Sequence, residues 1–397
     1  MYSNDYHPLN SNPFSSFLMG GFECADHQNA FGERIDLIAL TGHDRMLEGD
    51  YEMLADIQIK TVREGIRWSF VEKVPYQYNW KHVEEMILAA QKTGIHIIWD
   101  ICHFGFPDDL TPLHPMFPRR FAHLCAAFVK LYRSLIPNGD LIITPINEVS
   151  FLSWLGGDAR GTVPYCVNQG WEVKYCMMKA YIEGVEMMKE LDPTVRIMVT
   201  EPLINITSNF YSDDLTKLDA LAKHHEQFQV ADILSGRMCP ELRGKEEYLD
   251  MVGVNFYYSN QWIYPSHEHI PWREEPPHLL WRPLHSLIEE VFLRYGRPIV
   301  ISETSHPGED RSKWLEMIGN ECAEILKNGL PVWGCCIYPI IDRPDWDFPE
   351  QWHHSGLWDI FDLQTLEREI HMESLQTLID INEKLYINKK DHTILSL

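Results

Sequence analysis

A single (β/α)8 barrel, an α/β fold, is what this sequence predicts, and three observations predict it. Eight short apolar runs rich in β-branched residues alternate with eight stretches that carry apolar residues at helical spacing. No linker or change of composition interrupts residues 1–397, so they read as one domain, with 1–14 as an N-terminal arm and 387–397 as a C-terminal tail. Several runs also end abruptly in polar side chains, which is where a barrel collects its chemistry. A doubly wound sheet is the competitor, but it usually needs a glycine-rich first turn, and Gly20-Gly21 is too weak for that.

Phe17–Glu23, a short apolar run with paired glycines near its end, is the first strand. Apolar residues at Met46, Leu47, Met53, Leu54 and Ile57 give a helix over 46–59, and Thr61–Trp68 follows as the second strand. Asn79 is placed to cap a helix from Trp80 to Thr93, and Gly94 to stop it before the strand Ile95–His103. A helix over 118–135 leads to Leu141–Glu148, six of whose eight residues are apolar or β-branched, as in a buried parallel strand. Helices over 168–191, 215–234, 279–295 and 311–328 precede the strands Val195–Thr200, Met251–Tyr257, Pro298–Glu303 and Pro331–Tyr338. A last amphipathic helix spans 366–385.

Composition narrows the function. With 58 acidic against 34 basic residues the net charge is −24, which repels phosphate backbones and anionic lipid, so neither nucleic acid nor membrane is the expected partner. No run approaches the ~20 apolar residues of a membrane helix, and a soluble protein is expected. Nine cysteines, an odd number without CxxC spacing, and an N-terminus lacking a basic-then-apolar segment point to a reducing cytoplasm. The oligomeric state is open, a homo-oligomer included. No cofactor is implied, and His27, His43, His103, His353 and His354 lack the spacing of a metal site.

In a barrel the C-terminal ends of all strands face one bowl. Here those ends are Glu23 to His27, Arg63 to Trp68, His103, Asn147-Glu148, Thr200-Glu201, Asn255 to Tyr257, Glu303, and Tyr338 to Trp346. Aromatic faces stack on pyranose C–H surfaces, while amides and carboxylates chelate hydroxyl pairs. Two strand-terminal glutamates, Glu148 and Glu303, suit glycoside hydrolysis. One carboxyl protonates the leaving oxygen, and the other attacks the anomeric carbon when the pair lies about 5–5.5 Å apart. Asn147 can donate to a sugar 2-hydroxyl, which makes its neighbour Glu148 the acid/base. Glu303 is then the nucleophile, with Arg63 and Tyr257 as the groups that keep it ionised.

These strand ends resemble those of glycoside hydrolase family 1, the β-glucosidase-like retaining enzymes of a large (β/α)8 clan, over nearly the whole chain. Phe17-Leu18-Met19-Gly20 resembles the family's FLWG, and Val62 to Trp68 its YRFSISW at the arginine, isoleucine and tryptophan. His103 to Pro107 resembles HWDLP, Asn147-Glu148 the NEP motif, Gly253 to Tyr257 G-x-N-Y-Y, and Ile301 to Thr304 I-T-E-N. Gly334 to Trp346 tracks GYFVWSLLDNFEW without a gap, and His354 to Leu357 tracks R-F-G-L. The resemblance implies a retaining exo-β-glycosidase acting on a small-molecule or oligosaccharide glycoside. Glu148 is the implied acid/base and Glu303 the nucleophile, with Arg63 and Tyr257 as their electrostatic partners. His103, Asn147 and Asn255 are implied to contact the sugar at the cleavage subsite, and Asp345 and Trp346 to hold its far hydroxyls. The sequence departs from the pattern at His27 (for glutamine), Tyr338 (for the floor tryptophan), Asp345 (for glutamate) and Val149 (for the proline after the acid/base). Reacting positions persist while sugar-reading ones change, which keeps the reaction class and leaves the sugar open. Phospho-sugar members carry a serine and a lysine in this region, and no such pair lies between Asp345 and Leu357.

Plainer readings stand beside these. His103 alone reads as a core histidine, Arg63 alone as the partner of a buried carboxylate, and Cys335-Cys336 as packing on opposite faces of a strand. Trp154, Trp262, Trp272, Trp281 and Trp352 line outer sugar subsites or roof the barrel. Two other functions are compatible: a carbohydrate-binding barrel with lost or weak catalysis, and another enzyme of the clan acting on an unusual glycan.

Overall fold

The computed structural model describes residues 11–394, with side chains through Leu385. All eight expected barrel strands form: β1 (Leu18–Gly21), β2 (Thr61–Gly65), β3 (His96–Cys102), β4 (Ile142–Ile146), β5 (Arg196–Pro202), β6 (Met251–Asn255), β7 (Ile299–Thr304) and β8 (Val332–Ile337). They pair in parallel in chain order, and β8 closes on β1 with Leu18 beside Cys335.

Because strand side chains alternate faces, each strand sends every second residue toward the barrel axis. The lower axial layer is apolar: Met19, Ile98, Ile142, Met198, Met251, Val300 and Cys336 form one cluster, separate from the core under the helices that contains Cys335. The adjacent cysteines therefore do point to opposite faces. Two residues further along each strand the layer turns polar, with Asp100, Thr144, Thr200 and Ser302, all fully buried. Gly253 and Gly21 leave the room this layer needs. A Cβ on Gly253 would lie 2.6 Å from Thr200 Cγ2, and one on Gly21 would lie 2.0 Å from the Tyr338 ring. An apolar plug under a polar floor is thus set by strand parity.

The long helices Lys81–Thr93, Phe117–Leu135, Gly170–Leu191 and Arg311–Lys327 match the apolar periodicity, while the helix expected over 46–59 lies at His43–Asp56 and the one expected from 279 begins only at Leu284 and ends at Tyr295. Gly94 takes the left-handed cap (φ 73°), while Asn79 accepts the Lys81 N–H (3.3 Å) from one residue before the N-cap, Trp80. The stretch 215–234 splits into helices Asp214–His225 and Gln229–Leu234 around a 3-10 turn. A helix at Val149–Gly157 escapes periodicity because it is short and apolar nearly all round. The last helix begins at Met372, since Glu369–Ile370 instead pairs antiparallel with Trp358–Asp359. It runs to Ile394, so the expected tail is helical over 387–394. Residues 395–397 of that tail and 1–10 of the expected arm lie outside the described residues. The rest of the arm is tied down rather than unpaired. Asn12 Nδ2 donates to Trp333 O (2.8 Å) and Phe14 packs against the apolar axial layer, while just beyond the arm Ser16 Oγ accepts the Lys60 N–H (2.9 Å). Among the described residues no helix is long and apolar enough to cross a membrane.

Behind β2, His43 is buried between Asp50 Oδ2 and Glu64 Oε1, each 2.7 Å away, and Arg368 donates to Asp50 at 2.8 and 3.0 Å. Burial opposes the imidazolium, but Glu64 and Asp50 outweigh it and raise His43 from 6.5 to about 9. The folded state therefore keeps a proton that the unfolded state releases, and the stabilisation is complete below pH 6.5 and lost as pH rises to about 9. Denaturant titrations are expected to show a loss of about 3 kcal/mol over that interval, and His43→Gln should remove this part of the slope.

Candidate active site

The polar floor continues upward into a connected set of buried groups at the C-terminal ends of the strands. Arg63, 1% exposed on β2, donates to Asp100 from Nε (3.0 Å) and Nη2 (2.7 Å), to Asn147 Oδ1 from Nη2 (2.6 Å), and to Glu303 Oε1 from Nη1 (2.6 Å). One guanidinium thus binds groups on three other strand ends. Around Ile301–Glu303 the pairing of β7 with both neighbours shifts register, an irregularity of the kind that re-aims a side chain near a functional site. Both oxygens of Glu303 are held by donors: Arg63 and Asn147 Nδ2 (3.2 Å) on Oε1, Tyr257 OH (2.7 Å) on Oε2.

Asn147 has its amide fixed, because Oδ1 accepts from Arg63 and from Thr200 Oγ1 (2.9 Å), which turns Nδ2 toward Glu303. Glu148 follows in the left-handed region (φ 46°, ψ 56°), a conformation that strains a non-glycine residue and recurs at functional sites. Its carboxyl accepts from Asn255 Nδ2 (2.9 Å), and Asn255 is oriented in turn by Ser302 Oγ (2.6 Å). Burial, and after it the nearby Glu303 charge, raise Glu148 well above the usual carboxylate range, against the opposing pull of Asn255 and Arg63. The two glutamates, close enough to sense each other's charge, therefore occupy contrasting environments.

His103 Nδ1 lies 2.7 Å from Asp100 Oδ2, and its Nε2 faces the Tyr338 hydroxyl (3.2 Å), Asn147 Nδ2 (3.4 Å) and Glu23 Oε1 (3.5 Å). Tyr338 is 2% exposed and stacks on the His103 ring, so it supports the floor rather than offering an open platform. At the outer end His27 packs on Trp346 with ring centroids 4.4 Å apart, and Trp346 meets Phe104, which abuts His103. Among the described residues neither ring nitrogen of His27 nor Nε1 of Trp346 has a hydrogen-bond partner. Burial, with Arg343 and Arg34 adding to it, lowers His27 to about 3, so the ring is neutral. From Trp346 the aromatic contacts run outward through Phe151 to Trp154, which is 53% exposed.

Asp345 is not brought into this network. Its Oδ1 accepts the Asp347 and Phe348 N–H groups (2.9 and 3.1 Å), and its Oδ2 meets His353 Nε2 (3.0 Å). Sequence reasoning also left Asp100, Ser302 and Glu201 without roles. Asp100 carried a usable signal, a lone charge inside Ile97-Ile98-Trp99-Asp100-Ile101, whereas nothing local marks Ser302 as the residue that orients Asn255. Among the described residues two groups set three ligand-type atoms together, Cys24–Asp100–His103 and Asp342–His354–Asp359. In each an arginine, Arg63 or Arg311, already pairs with a member carboxylate and opposes a second cation.

No protein-family model and no curated protein sequence matches the chain. Solved structures do match. A family 1 β-glucosidase from Thermotoga maritima aligns at 14% identity and TM-score 0.68 over 86% of this chain and 87% of its own. The AHE enzyme from Alicyclobacillus herbarius aligns at 14% identity and TM-score 0.72 over 95% and 98%. A β-glycosidase from Pyrococcus horikoshii aligns at 16% identity and TM-score 0.68 over 87% and 85%. At such identities the likeness is one of fold, shared with these three proteins over most of each chain.

Proposed function

We propose that a barrel folded like those β-glycosidases, with two unlike glutamates at its mouth, is a retaining exo-β-glycosidase. The observation that carries the reading is the contrast between Glu148 and Glu303: one carboxyl is pushed toward its protonated form, while the other has donors on both oxygens. In the first step Glu303 attacks the anomeric carbon while the Glu148 proton passes to the leaving oxygen. Forming the glycosyl ester removes the Glu303 charge, and with it a cause of the raised Glu148 value, so Glu148 becomes the stronger acid. Its carboxylate can then take a proton from the water that releases the sugar. In this reading Asn147, His103 and Asn255 meet hydroxyls beside the reacting carbon, and His27 and Trp346 those at the far end. A cytoplasmic setting fits nine cysteines that are all unpaired.

The test is release of nitrophenol from aryl β- and α-glycosides of glucose, galactose, fucose, mannose, xylose and glucuronic acid. Hydrolysis of a β-glycoside is expected. Glu148→Gln should slow glycosides with poor leaving groups by about 10²–10⁴-fold, and activated aryl glycosides much less, because only the former need the proton. A second reading, a sugar-binding barrel with weak catalysis, draws on the engagement of Asp345 in its own turn and the burial of Tyr338. Sugar binding by calorimetry with silence across the whole panel would select it.

A further inference from the structure

Glu201, next to last on β5 and 7% exposed, has no part in the mechanism above. Its carboxylate accepts the Ser150 N–H, 3.1 Å to Oε2 and 3.3 Å to Oε1, and the Val149 N–H also stabilises its charge. These N–H groups open the nine-residue helix Val149–Gly157, whose N-cap is Glu148 itself, with no side-chain cap bond of its own. Valine at 149 brings an N–H that proline would lack. A carboxylate at this point satisfies otherwise free N–H groups and is favoured by the helix dipole. The strained turn that aims Glu148 is therefore fastened to β5 twice, by Glu201 and by the bond from Glu148 N–H to Thr200 O (3.0 Å).

The same placement brings the Glu201 carboxylate to the Ser150 N–H, two residues along the chain from Glu148. Glu148 faces Glu303 from β7, Arg63 from β2, Asn255 from β6 and Glu201 from β5. Glu201 faces Val149 and Ser150 on one side, and Lys174 and Tyr181 of helix Gly170–Leu191 on the other. Burial raises Glu201 to about 7, with Ser150 and Lys174 pulling the other way, and its charge adds to burial and Glu303 in raising Glu148.

We propose that Glu201 is a positioning residue for Glu148: it caps the helix that begins there and holds a second carboxyl at that helix's first turn, so that the two exchange protons with solvent as a linked pair. The catalytic consequence rests on Glu148 being the acid/base; the linkage itself does not. The test is therefore a carboxyl ¹³C titration of the full-length protein, with the two residues assigned through their glutamine variants. Glu201→Gln keeps an oxygen for the Ser150 N–H and should lower the Glu148 midpoint by about half a pH unit or more. By reciprocity, Glu148→Gln should lower the Glu201 midpoint by a similar amount. In Glu201→Gln the alkaline limb of kcat/KM should move to lower pH, whereas a purely structural cap, which the glutamine oxygen preserves, would leave the limb in place. Midpoints unmoved in both variants would overturn the linkage, even with glycosides turned over normally. Midpoints that move in a protein hydrolysing no glycoside would uphold it and remove the glycosidase reading instead.

Discussion

Glu303→Gln is expected to lower turnover of any accepted β-glycoside by roughly four orders of magnitude or more, about 5 kcal/mol of lost transition-state stabilisation. The amide is nearly isosteric and its oxygen can still accept from Arg63, but it cannot form and release a glycosyl ester. Folding should survive, because Arg63 keeps its two-point contact with Asp100 (3.0 and 2.7 Å) when the Glu303 charge is gone. The same substitution removes a charge that raises Glu148, so Glu148 should titrate at lower pH in the variant than in the parent. Incubating the parent with a 2-deoxy-2-fluoro β-glycoside should add one sugar mass to the peptide containing Glu303. Full activity in Glu303→Gln, or a label on another peptide, would refute the assignment of the nucleophile.

Most of the fold was legible because a parallel barrel strand is buried on both faces and reads as a continuous apolar run. Leu141–Ile146 and Pro298–Ile301 could hardly be anything else. Where the chain departs from regular pairing the reading weakened. The helix Val149–Gly157 has no polar face to give it a period, and the last helix starts late because Glu369–Ile370 is drawn into a two-stranded sheet by distant Trp358–Asp359. The site divided along similar lines. Arg63, His103, Asn147, Glu148, Asn255, Tyr257 and Glu303 could be named as chemistry at strand ends; the structure joins Arg63, His103, Asn147, Tyr257 and Glu303 in one hydrogen-bonded network and bonds Glu148 separately to Asn255. What a linear sequence withholds is the orientation of each side chain. Asp345 looks like a sugar ligand by position, yet two backbone N–H groups and His353 occupy its carboxylate. Ser302 looks like filler, yet it decides which way Asn255 turns.

Arg63→Met should be the most damaging single change to stability, at about 3–5 kcal/mol. Methionine fills much of the same volume, so the loss is electrostatic. Asp100 is fully buried and Glu303 4% exposed, and both would be left without their cation. Asn147 would lose the donor that fixes its amide, freeing Nδ2 to turn away from Glu303, so kcat should fall even in the fraction that folds. Arg63→Lys should recover only part of either loss, since an ammonium cannot serve Asp100, Asn147 and Glu303 from one planar fork. The double variant Arg63→Met with Asp100→Asn separates the two effects. Removing a buried cation together with one of its anions should restore much of the urea midpoint, whereas turnover should stay low because Glu303 and Asn147 remain unsupported. If Arg63→Met alone unfolds within about 1 kcal/mol of the parent, the buried charge cluster is not what holds the mouth of the barrel together. If the double variant recovers activity along with stability, Arg63 serves the fold and not the positioning of Glu303.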